Sequence, residues 1–323
     1  MKQLYPFKFR PILKERIWGG TKLRDVFSKP IPNEITGESW EVSTVKGDVS
    51  IIDNGSLSGE SLQKLLDEQP EALVGKHIYE RFGKEFPILI KFIDAREDLS
   101  IQVHPNDELA KKRHNSFGKT EMWYVMDADK DAQLIVGFNK SVTKEEYQQH
   151  LENGTLTEIL NYEPVSEGST FFINTGKVHA IGAGTLLAEI QQTSDITYRV
   201  YDFNRRDKNG NLRELHTEQA LDAIDYQKKD DFKVQYSHSL NEHNTMVSCP
   251  YFITNYLKLN QNLPVAISAR DSFHIYMCVK GQGAITYGDL TMPIQKGETI
   301  LVPASCEQIT IETNDIELLE VYL

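Results

Sequence analysis

The sequence predicts a mainly β protein, two barrel-like domains in tandem with helical insertions in the first half. Three observations predict it. Short runs of alternating or β-branched character, closed by Gly, Pro and Asn turns, fill most of the chain. Helical spacing is confined to a few stretches, chiefly about 58–82 and 141–160. A glycine-rich spacing pattern in the first half returns, altered, near the end of the chain. At 323 residues the chain has room for two ordinary domains with buried cores. We place the first at 1–226 and the second at 227–323.

In chain order, Phe7–Phe9, Arg16–Gly20 and Ser39–Ser43 read as short strands, with Gly19-Gly20 permitting a sharp turn beside Trp18. Trp18 is a candidate wall of a substrate pocket, or a core aromatic. From Ser58 to Phe82, Leu62, Leu65, Leu66, Leu73 and Ile78 keep helical spacing, with Pro70 dividing two helices. An apolar run from Phe86 to Ile93 leads to the strand Ile101–His104, which stops at Pro105. A short polar helix over Asp107–His114 and a strand from Glu121 to Met126 follow. Ser141 or Thr143 caps a helix that Asn153-Gly154 breaks, with Glu145 and Glu146 favourable in its first turn. Thr170–Ile173 is a strand, Thr217–Ile224 a short helix and Gln227–Asp231 a charged linker.

Alternation along a strand turns Gln102 and His104 into one space and Ile101 and Val103 into the other. If the strands around Ile101, Glu121 and Val178 line one barrel, Gln102, His104, Glu121 and His179 converge. Two imidazoles, a carboxylate and an amide oxygen suit a borderline divalent ion such as zinc. Spacing strengthens each residue beyond its individual weight. Gly168-x5-Asn174-x-Gly176-x2-His179 has the frame of the second cupin signature, and Gln102-x-His104 with Glu121 downstream has that of the first, Gln standing where many cupins carry His. Gly297-x5-Pro303-x-Ser305-x2-Gln308 repeats the second frame without its histidine, and His274-x6-Gly281 repeats the frame in which Glu121 begins its strand. The second domain therefore reads as a degenerate cupin, a jelly-roll barrel without a metal site.

Between Thr193 and Arg206, Ile196, Tyr198 and Val200 share one strand face, and Asp195, Thr197, Arg199 and Tyr201 the other. An inward arginine needs an anion: either Asp195, or a phosphate or enediolate brought by a substrate. Lys119 is a further candidate for an anionic substrate, against the plainer reading of a solvated strand-start lysine.

Gln102-Val103-His104-Pro105, Lys119-Thr120-Glu121, Gly176-Lys177-Val178-His179-Ala180 and Ser194-Asp195-x-Thr197-Tyr198-Arg199 together closely resemble the type I phosphomannose isomerases, in particular their short bacterial branch. The resemblance spans essentially the whole chain. It implies a zinc-dependent aldose-ketose isomerase interconverting mannose 6-phosphate and fructose 6-phosphate through a cis-enediol, with one Zn2+ per chain on Gln102, His104, Glu121 and His179. It implies a catalytic role for Arg199 and places Lys119 and Glu189 in or near the active site. Glu189, a metal-bound water and the histidines all stand as candidates for the base. Two other readings of the same residues stay open: a cupin isomerase of another sugar phosphate, and a non-catalytic two-cupin protein that binds sugar phosphate.

Composition narrows the partners. A formal net charge of -12 argues against nucleic acid, and no apolar run approaches the roughly 18 residues of a membrane span. The opening residues lack a signal-peptide core, and three cysteines without CxxC spacing read as free thiols. A cytoplasmic enzyme acting on a small-molecule sugar phosphate, monomeric or weakly dimeric, is the expectation.

Overall fold

In a computed structural model, which describes residues 3–206 and 209–323, the chain is mainly β. The first half holds two antiparallel sheets. The larger has the strand order Ile12–Gly20, Thr36–Val42, Ile88–Ala95, Thr185–Gln192, Glu121–Ala128, Thr170–Ile173. The smaller runs Tyr198–Tyr201, Ile101–Val103, His179–Ile181, Gln133–Phe138, Leu160–Pro164. Alternation along Glu121–Ala128 explains how both faces of the larger sheet are covered. Trp123 and Val125 pack with Trp18, Val136, Ile181 and Leu187 in one apolar cluster. Met122, Tyr124 and Met126 pack on the other side with Phe92, Ala188 and Ile190. That second cluster continues into the helices and the carboxy-terminal strands, through Leu65, Leu73, Tyr256 and Leu319.

The helices follow their caps. Asn106 accepts from Leu109 N and opens Asp107–His114. Thr143 and Glu146 form a full capping box at the start of Lys144–Glu152. One expectation is corrected here. The helical stretch from 58 to 82 holds three helices, Leu62–Glu68, Pro70–Val74 and Lys76–Phe82. The added break is at Gly75, φ 96°, where the chain crosses the Asp271 backbone so closely that a Cβ has no room. Within the helical stretch 141–160 the helix ends at Glu152, just before the expected break at Asn153-Gly154, where Gly154 takes φ 69°. Leu156–Ile159 is a short 3-10 turn and Leu160 opens a strand.

The carboxy-terminal sheet repeats the larger sheet from Thr36–Val42 onward. Its order is His243–Ser248, Ile253–Leu259, Gln308–Tyr322, His274–Tyr287, with Thr299–Val302 and Leu290–Gln295 both on the last of these. The registers correspond as well. Ile173 pairs with Glu121 in the first half and Val302 with His274 in the second. Trp123 pairs with Glu189 and Glu189 with Lys91; Tyr276 pairs with Glu320 and Glu320 with Asn255. The repeated spacing in the sequence is thus a structural repeat, aligned residue for residue. At the centre of the second copy the Arg270 guanidinium lies 2.9 Å from His274 Nε2 and 2.8 Å from Glu320 Oε1. A guanidinium thus stands where the first copy gathers Glu121 and its neighbours.

A candidate metal centre

Three strands deliver the ligand candidates, Gln102 and His104 coming from the same one. His104 follows the last residue of Ile101–Val103, Glu121 is the first residue of Glu121–Ala128, and His179 the first of His179–Ile181. His179 pairs directly with Gln102. His104, Glu121 and His179 are buried, and their donor atoms all lie within 4.8 Å of one another. His104 Nε2 is 3.2 Å from His179 Nε2, and each imidazole is 3.5 Å from a different Glu121 oxygen. Gln102 Nε2 lies 3.3 Å from His179 Nε2. An amide's two ends exchange by a half-turn, so the same reach serves an oxygen ligand.

The donor set fits a divalent ion. His104 Nδ1 faces the Ile196 carbonyl at 2.9 Å and His179 Nδ1 faces the Lys177 carbonyl at 2.7 Å. Carbonyls only accept, so each Nδ1 carries the proton and each Nε2 presents its lone pair inward. Two imidazole lone pairs point into one space, and among the described residues Glu121 Oε1 has no hydrogen-bond donor although it is buried. The 3.2 Å between the two Nε2 atoms and the 3.5 Å from each to a Glu121 oxygen would let these residues hold one ion such as zinc.

Electrostatics agree. Burial, aided by Lys119 and by the facing imidazole, holds His104 well below its ordinary value. Burial takes His179 down to about 3, so both rings stay neutral. Burial also pushes Glu121 up to about 7, with the nearby Glu189 adding to it and Lys119 opposing. A carboxylate so reluctant to ionise gains most from a cation. Lys119 supplies part of that charge. Its Nζ is 2.8 Å from Glu121 Oε2 and 3.1 Å from His104 Nε2. Burial works against its charge, but Glu121 and Glu189 together hold its pKa above the ordinary lysine value.

Glu189 is brought to the same face. It accepts from Lys91 Nζ at 2.9 Å and from the Trp123 indole at 3.1 Å. Burial opposes its ionisation, yet Lys91 and Lys119 outweigh burial and hold it at about 2. Arg199 is the cross-strand partner of Gln102. Its Nε donates to Ser100 Oγ and its Nη1 to the Glu214 carbonyl, and among the described residues it makes no ion pair. Asp195, the structural anion considered for it, is exposed and unpaired with it. Trp18 is buried in the apolar cluster with Trp123, its ring over Gly37, behind the polar residues.

Sequence reasoning passed over Lys91 and Glu38. Lys91 is buried with its ammonium on Glu189, and Glu38 is buried against Arg16 and the Trp40 indole. A signal existed for the first: a lone lysine inside Ile88-Leu89-Ile90-Lys91-Phe92-Ile93 is costly without an anion.

Fold and site together define a cupin-type β protein with a buried two-histidine, one-carboxylate centre beside a row of paired charges. Residues 6–150 match the model of the type I phosphomannose isomerase catalytic domain, and 241–323 that of the mannose-6-phosphate isomerase cupin domain. The chain is 36% identical to mannose-6-phosphate isomerase ManA of Bacillus subtilis, over 95% of this chain and 96% of that protein. It superposes on the crystal structure of the Bacillus subtilis mannose 6-phosphate isomerase with a TM-score of 0.90 at 34% identity, covering 99% of this chain and 100% of that one. A more distant mannose 6-phosphate isomerase, crystallised bound with zinc and yttrium, shares the fold at TM-score 0.81 and 17% identity, over 99% of both chains. The chain belongs to the type I phosphomannose isomerase family.

Proposed function

We propose that this protein interconverts mannose 6-phosphate and fructose 6-phosphate, with one zinc ion held by Gln102, His104, Glu121 and His179. The observation that carries the proposal is the buried His104–Glu121–His179 cluster, whose donor atoms all lie within 4.8 Å of one another. The zinc-bearing crystals of the distant relative support the choice of metal. When bound, zinc supplies a Lewis acid that polarises a sugar oxygen.

The surrounding residues have distinct tasks in this reading. Isomerisation moves a proton between C1 and C2, and negative charge develops on the oxygens they carry. Lys119, kept protonated by Glu121 and Glu189, hydrogen-bonds one of those oxygens. Arg199, which makes no ion pair among the described residues, binds the enediolate or the phosphate through its fork of donors. Glu189 holds Lys91 and Lys119 in place as cations. Trp18 backs the pocket with apolar surface. Residues 1–226 carry this chemistry, and 227–323 are a cupin that has lost it. The experiment is a coupled assay over a panel of aldose 6-phosphates. Mannose 6-phosphate should give the highest kcat/KM; a preference for glucose 6-phosphate, or binding without turnover, overturns the assignment.

A further inference from the structure

The carboxy-terminal domain has lost its own centre, yet one of its side chains reaches the other. Tyr251 lies in the turn between His243–Ser248 and Ile253–Leu259. Its hydroxyl donates to Asp107 Oδ2 at 2.6 Å. The other oxygen of Asp107 accepts from Gly118 N at 2.8 Å and from Gln192 Nε2 at 3.0 Å. Gln192 Oε1 in turn accepts from Thr120 N at 2.8 Å, and Gln192 N donates to the Thr120 carbonyl. The backbone on both sides of Lys119 is therefore held by side chains that meet at Asp107.

The fit at this point leaves little slack. A Cβ on Gly118 would stand 2.7 Å from Asp107 N and 2.9 Å from the Pro105 carbonyl. The Tyr251 turn is itself held from the first domain: Arg81 Nη1 donates to the Pro250 carbonyl at 2.6 Å, with its guanidinium 6.0 Å from the Tyr251 ring centre. Tyr251, Asp107, Phe117, Gln192 and Ser194 line one cleft of about 960 Å³.

We infer that Tyr251 is a positioning residue for catalysis: through Asp107 it fixes the Gly118-Lys119-Thr120 segment and thereby the Lys119 ammonium beside the metal centre. This gives the degenerate domain a task in the reaction, and it rests on the isomerase reading above. Asp107 accepts three donors, and removing one frees the carboxylate to rotate away from Gly118. A displacement of about 1 Å at a substrate-holding group costs on the order of 10- to 100-fold in rate.

The test is Tyr251→Phe in the full-length, zinc-loaded enzyme, which keeps the ring and deletes only the hydroxyl. The expected result is a loss of about ten-fold in kcat, with zinc content and melting temperature near wild type. Amide exchange across residues 116–121 should accelerate. In an Asp107→Asn background, Tyr251→Phe should change nothing further. A lowered melting temperature with kcat and exchange unmoved, or effects that add independently, overturns the inference. Exchange is read without substrate, so a broken link and a mistaken substrate give different results.

Discussion

Replacing Glu189 by glutamine tests whether its carboxylate holds the charge row at the site. The side chain is 3% exposed, and it accepts from Lys91 Nζ at 2.9 Å and from the Trp123 indole. Its pKa falls from 4.5 to about 2. At 1.36 kcal/mol per unit, that fall is worth about 3 kcal/mol. The same size follows independently from breaking a buried ion pair on one side, about 3–5 kcal/mol. An unfolding entropy of about 2.1 cal/mol/K per residue makes this a drop of about 5 °C in melting temperature for the 323-residue chain. Glu189 is more acidic folded than unfolded, so its contribution is complete above about pH 4.5 and fades as pH falls toward 2. Thermal melts of wild type and Glu189→Gln from pH 7 down to pH 3 should show a gap that narrows below pH 4.5. Turnover should also fall, because Lys119 loses one of its supporting anions. Equal melting temperatures at pH 7, or a gap constant down to pH 3, would refute the reasoning.

Further predictions concern residues on either side of this row. Glu320→Gln should destabilise the carboxy-terminal domain by about 3 kcal/mol at pH 7 and leave KM unchanged. Burial opposes its ionisation, but His243, His274 and Arg270 hold Glu320 at about 2. Urea unfolding at pH 7, repeated as the pH is lowered from 4.5 toward 2, checks both the size and the fading of that contribution. Arg199→Ala should lower turnover on the order of 10²–10³-fold and abolish competitive inhibition by inorganic phosphate if the guanidinium binds that end of the sugar. Retained inhibition with lost turnover would assign Arg199 to the enediolate.

The site was legible in the sequence because strand alternation and fixed spacing are local. Gln102 and His104 share a face by period two, and Gly168-x5-Asn174-x-Gly176-x2-His179 encodes one strand, one turn and the next strand. The second copy was legible for the same reason, since Gly297 and Pro303 keep the spacing of Gly168 and Asn174. What remained hidden depends on contacts between distant segments. The break at Gly75 is imposed by Asp271, nearly two hundred residues away in sequence. Nothing local to Tyr251 points to Asp107, and Asp195 opposite Arg199 seemed plausible until the chain turned it to solvent. Lys91 gave a signal of its own, an isolated charge in an apolar strand, whose partner Glu189 only the sheet register supplies.

The central claim is that the buried His104–Glu121–His179 cluster holds a metal on which catalysis depends. It is tested most directly by assaying conversion of mannose 6-phosphate before chelation, after exhaustive chelation, and after titration with zinc, with bound metal counted in parallel. Activity should disappear with the chelator and return in proportion to zinc up to one ion per chain. Full activity in protein shown to be metal-free, or one zinc bound per chain without any turnover, would contradict it.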